Sequence, residues 1–304
     1  MSASASHGTA KRKTFFSSKD VVGFLFVTPL LTGLLVFHLY PIIQSFMMSL
    51  QNTNGVTGVY VGFSNYQWIF KDSQFWNSVY NTVYMTALSL ILNVSVSFLL
   101  ASLINSAGKT RNLFKSIYFL PNVVSTVAAS ILFTFLFYPS KSGVINSFLA
   151  IFGIKPLQWF SGTATSRLTI CIMGAWRSAG YYMIIFIAGL QSVPTELYEA
   201  ADVDGVTGIK KWWYITIPSV RPIFAFIIIM DTISSMRRFS DVYMVGGTGG
   251  NPGGTLATTV LFIYRNAFTG SQMGIASAAA FVLFLFIMIL SGVNNLLINR
   301  PNDL

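Results

Sequence analysis

Arg177 and Asp231 interrupt two long apolar stretches, each ten residues from a flanking arginine, Arg167 and Arg221. A guanidinium and a carboxylate in such positions can pair with each other, or they can hydrogen-bond a polar solute passing between the helices that carry them. Arg237 and Arg238 form a second group with Asp241, which follows them by four and three residues, a spacing at which side chains on a helix meet. Trp176, Tyr181, Tyr182, Phe239 and Tyr243 lie in the same two stretches. A third concentration, ELYEAADVDGVTGIKKWWYITIP from Glu196 to Pro218, holds four of the nine acidic groups within 23 residues.

These residues do not assemble into a catalytic or metal-binding pattern. Asp202 and Asp204, two apart on a helix, would point about 200° from each other. His7 and His38 are far apart, and Cys171 is the single cysteine, which excludes an intramolecular disulfide. Gly108-Lys109-Thr110 has Leu103 where a phosphate-cradling loop needs its first glycine. The glycine-rich GGTGGNPGG, Gly246 to Gly254, contains no lysine and reads as a flexible outer loop or a re-entrant turn. No catalytic residue, metal or cofactor is expected, and the chain carries no nucleotide site of its own.

The elements that must position these groups are membrane-crossing helices. Of the 304 residues 53% are hydrophobic and 9% charged, against about 25% charged in a soluble domain. Uncharged runs at Val79–Gly108, Ser116–Ser140 and Gly274–Asn299 exceed the length that crosses a bilayer as a helix. The reading is an all-α integral membrane protein with six transmembrane helices at about 21–50, 77–105, 113–138, 167–191, 219–241 and 274–298, and a helix–turn–helix between helices 4 and 5. Residues 1–19 form a polar N-terminal tail, 20–299 the six-span domain and 300–304 a short C-terminus. Pro29 and Pro41 re-shape the first span; the fifth is interrupted by Arg221, Asp231, Arg237 and Arg238.

The net charge of +10 is distributed around the apolar runs, as in a membrane protein, and not in a basic patch for nucleic acid. With the N-terminus inside, inner segments hold eleven Lys and Arg residues, from Lys11 to Arg300, and outer segments five. That imbalance predicts a multi-pass protein with both termini cytoplasmic. The polar segment at 196–218 is then cytoplasmic, and the aromatic stretches GFSNYQWIFKDSQFWNSVYNT and KPLQWFSGTATS are external, as an interfacial belt or a docking surface. At about 1.5 Å per residue, Arg177 and Asp231 each lie about 15 Å along their spans from Arg167 and Arg221, at matching depth near mid-bilayer.

Within the polar segment, Pro194 ends one helix, Thr195 is placed to cap the next, and Gly205 can reverse the chain. A second short helix follows, halted by Pro218. Its spelling is Glu199-Ala200-Ala201, three residues, Gly205, nine residues, Ile215-Thr216-Ile217-Pro218. This resembles the EAA loop of permease subunits from bacterial binding-protein-dependent ABC importers, with Ile217 where that pattern has leucine. The longer AGLQSVPTELYEAADVDG, together with NYQWIFKDSQFWNSVYNT and LATTVLFIYRNAF, resembles the carbohydrate-uptake branch, of maltose and glycerol-phosphate permease type. The likeness runs from about Phe24 onward; VGGTGGNPGG departs from the shorter Thr-x-Gly-Gly-Pro of that branch.

The resemblance implies a non-catalytic permease subunit moving a carbohydrate, an oligosaccharide, into the cell by alternating access. A phosphate ester such as a glycerol phosphodiester is the rival cargo, and an ATP-independent transporter or channel the rival class. The implied partners are a second homologous permease in a heterodimer, two ABC ATPase subunits, an extracytoplasmic solute-binding protein and the carbohydrate substrate. The polar segment would be the coupling helix seated on an ATPase: Glu199 facing it, Ala200 and Ala201 allowing close approach, Gly205 turning the chain, Ile217 and Pro218 completing the motif. The candidates for the substrate pathway are Arg177, Tyr181, Asp231, Arg237 and Phe239.

Overall fold

A computed structural model describes residues 18–298. The basic tail before Ser18 and the residues after Ile298, Arg300 among them, lie outside the described residues, as do most of the two terminal segments set apart on sequence. The chain divides into two units, residues 1–47 and 48–304.

In the first unit, α1 (Ser18–Leu34) contains Pro29 without a break and runs through a π-helical turn, Leu35–Leu39, into α2 (Tyr40–Ser49). Pro41 explains the turn. Its ring has no N–H and crowds the carbonyl four residues back, and the backbone widens so that the Tyr40 amide donates to the Leu35 carbonyl, five residues away.

The second unit opens with a two-stranded hairpin, β1 (Gln51–Thr53) and β2 (Gly58–Tyr60), with Asn52 opposite Val59. Then come α3 (Ser64–Lys71), α4 (Ser73–Asn105), α5 (Arg111–Val123), α6 (Thr126–Leu136), α7 (Val144–Ala150), α8 (Ser166–Gln191) and α9 (Thr195–Val203). The remaining helices are α10 (Ile209–Lys211), α11 (Ile217–Ser219), α12 (Arg221–Met236), α13 (Ser240–Gly246), α14 (Thr259–Tyr264) and α15 (Met273–Ile298). Among the described residues, four helices are individually long and apolar enough to cross a membrane: Val22–Ser49, Ser73–Asn105, Ser166–Gln191 and Met273–Asn294. The number reaches six if two bent pairs, α5 with α6 and Ile209–Ser219 with α12, are each one span.

The two bends modify the straight spans read from sequence. Between α5 and α6 the axis turns by 97°. Val124 is extended (ψ 130°), and the Ser125 hydroxyl caps the new helix by accepting from the Ala128 amide at 3.2 Å. The second pair bends by 66° at Val220. Arg221 and Pro222 open α12, as a proline in a first turn permits. That helix ends at Met236; Phe239, at φ −142°, breaks the path, and α13 starts at Ser240.

The core of the second unit is layered. Near the end of the bundle where α4 and α8 begin, Met85, Phe133, Phe160, Ile170, Met173, Val242, Leu256 and Leu261 pack together. Near the opposite end, Phe98, Ala101, Ile104, Met183, Phe186, Ile187, Leu190, Val220 and Ile227 form a second apolar layer. The two layers are separated along α4, α8 and α12 by polar residues.

Helix α5 reaches α8 through one position without a side chain. A Cβ at Gly180 would lie 1.9 Å from the Tyr118 carbonyl oxygen and 2.9 Å from the Phe119 Cα, both backbone atoms that cannot swing aside. Gly180→Ala should therefore push α5 off α8 and lower stability by about 1–3 kcal/mol. The check is a lowered thermal midpoint in detergent, with membrane insertion unchanged.

Candidate functional site

Along α4 a polar stripe recurs every three or four residues: Ser78, Thr82, Thr86, Ser89, Asn93 and Ser97, all buried. At that period the residues share one face, and in a bilayer a polar face must point into the protein. The hydroxyls of Thr82 and Ser97 turn back onto carbonyls of their own helix, Ser78 and Asn93 respectively. Asn93 keeps its side chain for other helices.

Asn93 lies opposite Asp231. Its Nδ2 donates to Asp231 Oδ1 at 2.8 Å, and the Tyr182 hydroxyl donates to the same oxygen at 3.1 Å. The Ser178 hydroxyl donates to Asn93 Oδ1 at 3.1 Å, which orients the amide. Ser178 and Tyr182 are one turn apart on α8, so a single carboxylate ties α4, α8 and α12 together. Asp231 is 2% exposed. Its second oxygen, Oδ2, is buried without a hydrogen-bond partner, although the Ser235 hydroxyl stands one turn on.

Arg238 occupies the break between α12 and α13. Its Nη2 donates to Ser89 Oγ at 2.9 Å and its Nη1 to the Ile170 carbonyl at 3.3 Å, and it pairs with Asp241 at 3.4 Å. The guanidinium passes over Gly174, where a Cβ would stand 3.0 Å from Nη2. The Arg238 carbonyl accepts from Thr258 Oγ1 at 2.9 Å, which joins the N-terminal cap of α14 to the same point.

These groups face a cavity of about 340 Å³ lined by polar side chains of five helices: Asn93 from α4, Asn122 from α5, Thr126 from α6, Arg177, Ser178 and Tyr182 from α8, Asp231, Ser234 and Ser235 from α12; Arg238, Ser240 and Asp241 complete it at the break. Of the pathway candidates named from sequence, Arg177 and Asp231 both line it. They form no ion pair, and Arg177 Nε has no hydrogen-bond partner. Tyr181, Arg237 and Phe239 do not line it. Tyr181 and Arg237 are exposed elsewhere, and Phe239 stacks on Tyr243 at 5.4 Å and leans on Tyr264 at 4.9 Å. In each case a sequence neighbour takes the position: Tyr182, Arg238 and Ser240. The helical register predicted through Arg237 fails because the helix ends there, which leaves Arg238 as the partner of Asp241.

The glycine-rich stretch is bound at its end, and it is not a free loop. Asn77 and Asn81 both donate to the Gly254 carbonyl, at 3.1 and 2.8 Å, and Asn81 also donates to the Ala257 carbonyl at 3.0 Å. Arg167 Nε donates to Asn81 Oδ1 at 2.9 Å, which fixes that amide.

At the far end, the polar segment forms a helix–turn–helix. Thr195 is the first residue of α9, not its cap; Pro194 holds the cap position with extended backbone. Gly205 has φ +70°, the Val206 amide donates to the Ala201 carbonyl at 2.8 Å, and the Gly205 amide donates to the Asp202 carbonyl at 3.1 Å. That pair of bonds is a Schellman closure, which needs a left-handed residue at the glycine. Pro218 does not halt the second helix. A π-helical turn at Trp212–Thr216 precedes it, the same accommodation as before Pro41, and the helix ends after Ser219.

The two halves of this segment face different surroundings. Trp212 stacks on Phe98 at 5.0 Å and donates to Ser102 Oγ at 3.2 Å, and Ile217 packs on the same apolar layer. Tyr198 bonds Thr216 at 3.1 Å, and Lys211 pairs with Asp202, so α9 is held to the second half. Glu199, Ala200 and Gly205 are exposed; Ala201 is buried and packs inward, so close approach from outside falls to Ala200 alone. Pro218 is exposed. Val203 is 88% and Ile209 72% exposed, an apolar rim on a polar turn.

Long apolar helices, two bent pairs, a polar interior layer and an exposed polar turn define a polytopic membrane protein built around a solute-sized cavity. Residues 93–302 match the family of binding-protein-dependent transport system inner membrane components, and the chain belongs to that family. It is 35% identical over 280 residues to the arabinooligosaccharides transport system permease protein AraP of Bacillus subtilis, covering 92% of this chain and 89% of that relative. It is 34% identical over 288 residues to the lactose transport system permease protein LacF of Rhizobium radiobacter, covering 93% and 96%. Among solved structures, a chain of a bacterial ABC transporter involved in the import of the acidic polysaccharide alginate shares the fold, with a TM-score of 0.78 at 23% identity over 94% of this chain and 97% of that one.

The clamp on Asp231 gives a direct expectation. Asn93→Leu keeps the volume but removes one of the two donors from a buried carboxylate, a loss of about 1.5–3 kcal/mol for a hydrogen bond to a charged group. The thermal midpoint of the solubilised protein should fall accordingly, whereas Asn77→Leu, at an exposed bond to Gly254, should move it less.

Proposed function

We propose that the chain is a permease subunit of an ABC importer that carries a carbohydrate, an oligosaccharide, into the cell. The observation that carries this reading is the exposed Glu199–Gly205 turn, followed by a short helix that Trp212 and Ile217 anchor in the apolar layer next to the polar cavity. Family membership supports the class. The names of relatives that act on arabinooligosaccharides, lactose, and trehalose or maltose support the cargo.

In this reading the exposed face of α9 docks on a separate ATP-hydrolysing subunit. Glu199 offers a carboxylate for charge-assisted hydrogen bonds, Ala200 leaves room for the partner, and the Gly205 closure fixes the angle between the two short helices. Ala201 and Ile217 act inward, holding the turn to the bundle, while Pro218 is exposed beside them. When two such ATPases close, the turn moves as one body with α4, α8 and α12, because Trp212 and Ile217 are packed between them. The polar cavity is then exposed to one side of the membrane or the other.

The full assembly would comprise this chain, a second homologous permease, two ATPases and an extracytoplasmic solute-binding protein, in the bacterial cytoplasmic membrane with both termini inside. Residues 1–19 and 300–304 would flank the 20–299 permease domain on the cytoplasmic side. ATP hydrolysis would reside wholly in the partner subunits. Within the cavity, Arg177 and Asp231 would meet the solute, with Tyr182 as the aromatic wall. Tyr181, Arg237 and Phe239 would reach the solute only in another conformation.

The test is co-purification followed by function. An ATPase subunit should leave the membrane with this chain, and ATP hydrolysis by the reconstituted complex should rise with a saccharide-loaded binding protein. Gly205→Asp puts a side chain at a left-handed residue with open space around it. It strains the turn by about 1–2 kcal/mol without a steric clash. Transport should fall at least tenfold while insertion and amount in the membrane stay unchanged; transport at the normal rate would remove the coupling role.

A further inference from the structure

Resting on the carbohydrate reading above and deepening it, we infer that this chain's part of the pathway selects a neutral, hydroxyl-rich solute against an anionic one, with Asp231 Oδ2 as the acceptor that sets the selection. The fold leaves this open, since it is shared with an importer of an acidic polysaccharide.

The charges around the cavity are two cations, Arg177 and Arg238, and two anions, Asp231 and Asp241, which sum to zero. They are not equally available. Arg238 is committed to Ser89, the Ile170 carbonyl and Asp241, and its side chain is 8% exposed. Asp241 is committed as well, with Oδ2 on Arg238 and Oδ1 accepting from the Val242 amide at 2.9 Å. The pair closes on itself and offers nothing to an incoming anion.

What remains is Asp231 Oδ2 and the Arg177 guanidinium. Oδ2 is buried and unpartnered on a carboxylate whose other oxygen is held by Asn93 and Tyr182, so it is fixed in place. Arg177 Nε is likewise unpartnered in the same cavity. A hydroxyl donates and accepts at once, so one solute can give protons to Oδ2 and take them from Arg177. A carboxylate or phosphate only accepts. It would gain Arg177 but set its own acceptor oxygens against Asp231 Oδ2, which Asn93 and Tyr182 hold in place through the other oxygen. The hydroxyls of Ser178, Ser234, Ser235 and Thr126 complete a lining suited to a polyol.

The experiment uses the complete importer complex in nanodiscs, without its binding protein, and reads saccharide binding by saturation-transfer NMR. The probes are neutral trisaccharides (arabinotriose, maltotriose and raffinose) and the acidic trigalacturonate. The wild-type complex should bind at least one neutral probe ten times more tightly than trigalacturonate. Asp231→Asn should shrink that ratio about tenfold, and Arg177→Gln should widen it. Equal binding of the acidic probe by the wild type, or substitutions that move the ratio in the same direction or not at all, would overturn the selection. If Asp231→Asn does not assemble, Arg177→Gln decides alone: its side chain makes no hydrogen bond among the described residues, and an unchanged or reduced ratio counts against the proposal. A wild-type complex that binds none of these probes, and whose ATP hydrolysis no loaded binding protein stimulates, would instead remove the carbohydrate reading itself.

Discussion

A carboxylate buried midway between two apolar layers is the constraint on which the rest of the bundle depends. Taking that charge out of water costs several kcal/mol unless donors are supplied, and the donors to Asp231 come from two other helices, Asn93 on α4 and Tyr182 on α8. Apolar packing between these helices is non-directional and, in a bilayer, has little hydrophobic drive, because lipid tails are as apolar as leucine. The hydrogen bonds therefore set the register. A slip of α12 by one turn, about 5.4 Å, would carry the carboxylate away from Asn93 and into one of the apolar layers, around Met85 or around Phe98. Ser178, which fixes the Asn93 amide, extends the same constraint along α8.

The layer below connects this register to the exposed turn. Phe98 touches Phe186 at 5.1 Å, Phe224 at 4.7 Å and Trp212 at 5.0 Å, so α4, α8, α12 and the second half of the turn share one aromatic cluster. Close-packed interiors transmit displacement because they have little free volume. The π-helical turn before Pro218 keeps the chain helical up to the bend at Val220, so the turn and α12 are joined through a short, well-bonded path. In the proposed coupling, a push on α9 would reach Asp231 through these packed side chains.

Much of this was legible in sequence because membrane helices announce themselves by length. The helices at 73–105, 166–191 and 273–298 coincide with predicted spans within a few residues at most ends. The turn at Gly205 was legible for a different reason: glycine takes the left-handed closure at the least cost, and the polar residues before it have no other place in so apolar a chain. Three things were missed. The bend between α5 and α6 was hidden by an uninterrupted apolar run, although Ser125-Thr126 after Pro121 is a cap signal. Spacing alone does not say which of two adjacent residues faces inward, so Arg238 and Tyr182 are not separated in sequence from Arg237 and Tyr181, and the helix ends where an ideal helix would continue. Asn93 drew no notice because it is uncharged. The signal was there in the recurrence of Ser78, Thr82, Thr86, Ser89, Asn93 and Ser97 along one face of an apolar helix.

Both unpredicted interruptions lie at the same place. The α5–α6 bend presents Asn122 and Thr126 to the cavity, and the α12–α13 break presents Arg238, Ser240 and Asp241. Broken helices leave backbone groups without partners, and at membrane depth they are tolerated only where protein buries them or where they border a water-filled space. Here some are met by side chains: the Ser125 hydroxyl takes the Ala128 amide and Thr258 takes the Arg238 carbonyl. A seam meant only to hold helices together would keep its helices whole, since each break adds backbone groups to satisfy. Two breaks meeting at one polar cavity, with Asp231 Oδ2 and Arg177 Nε buried beside it without hydrogen-bond partners, are what supports the proposal of a solute pathway there over that of a seam between helices.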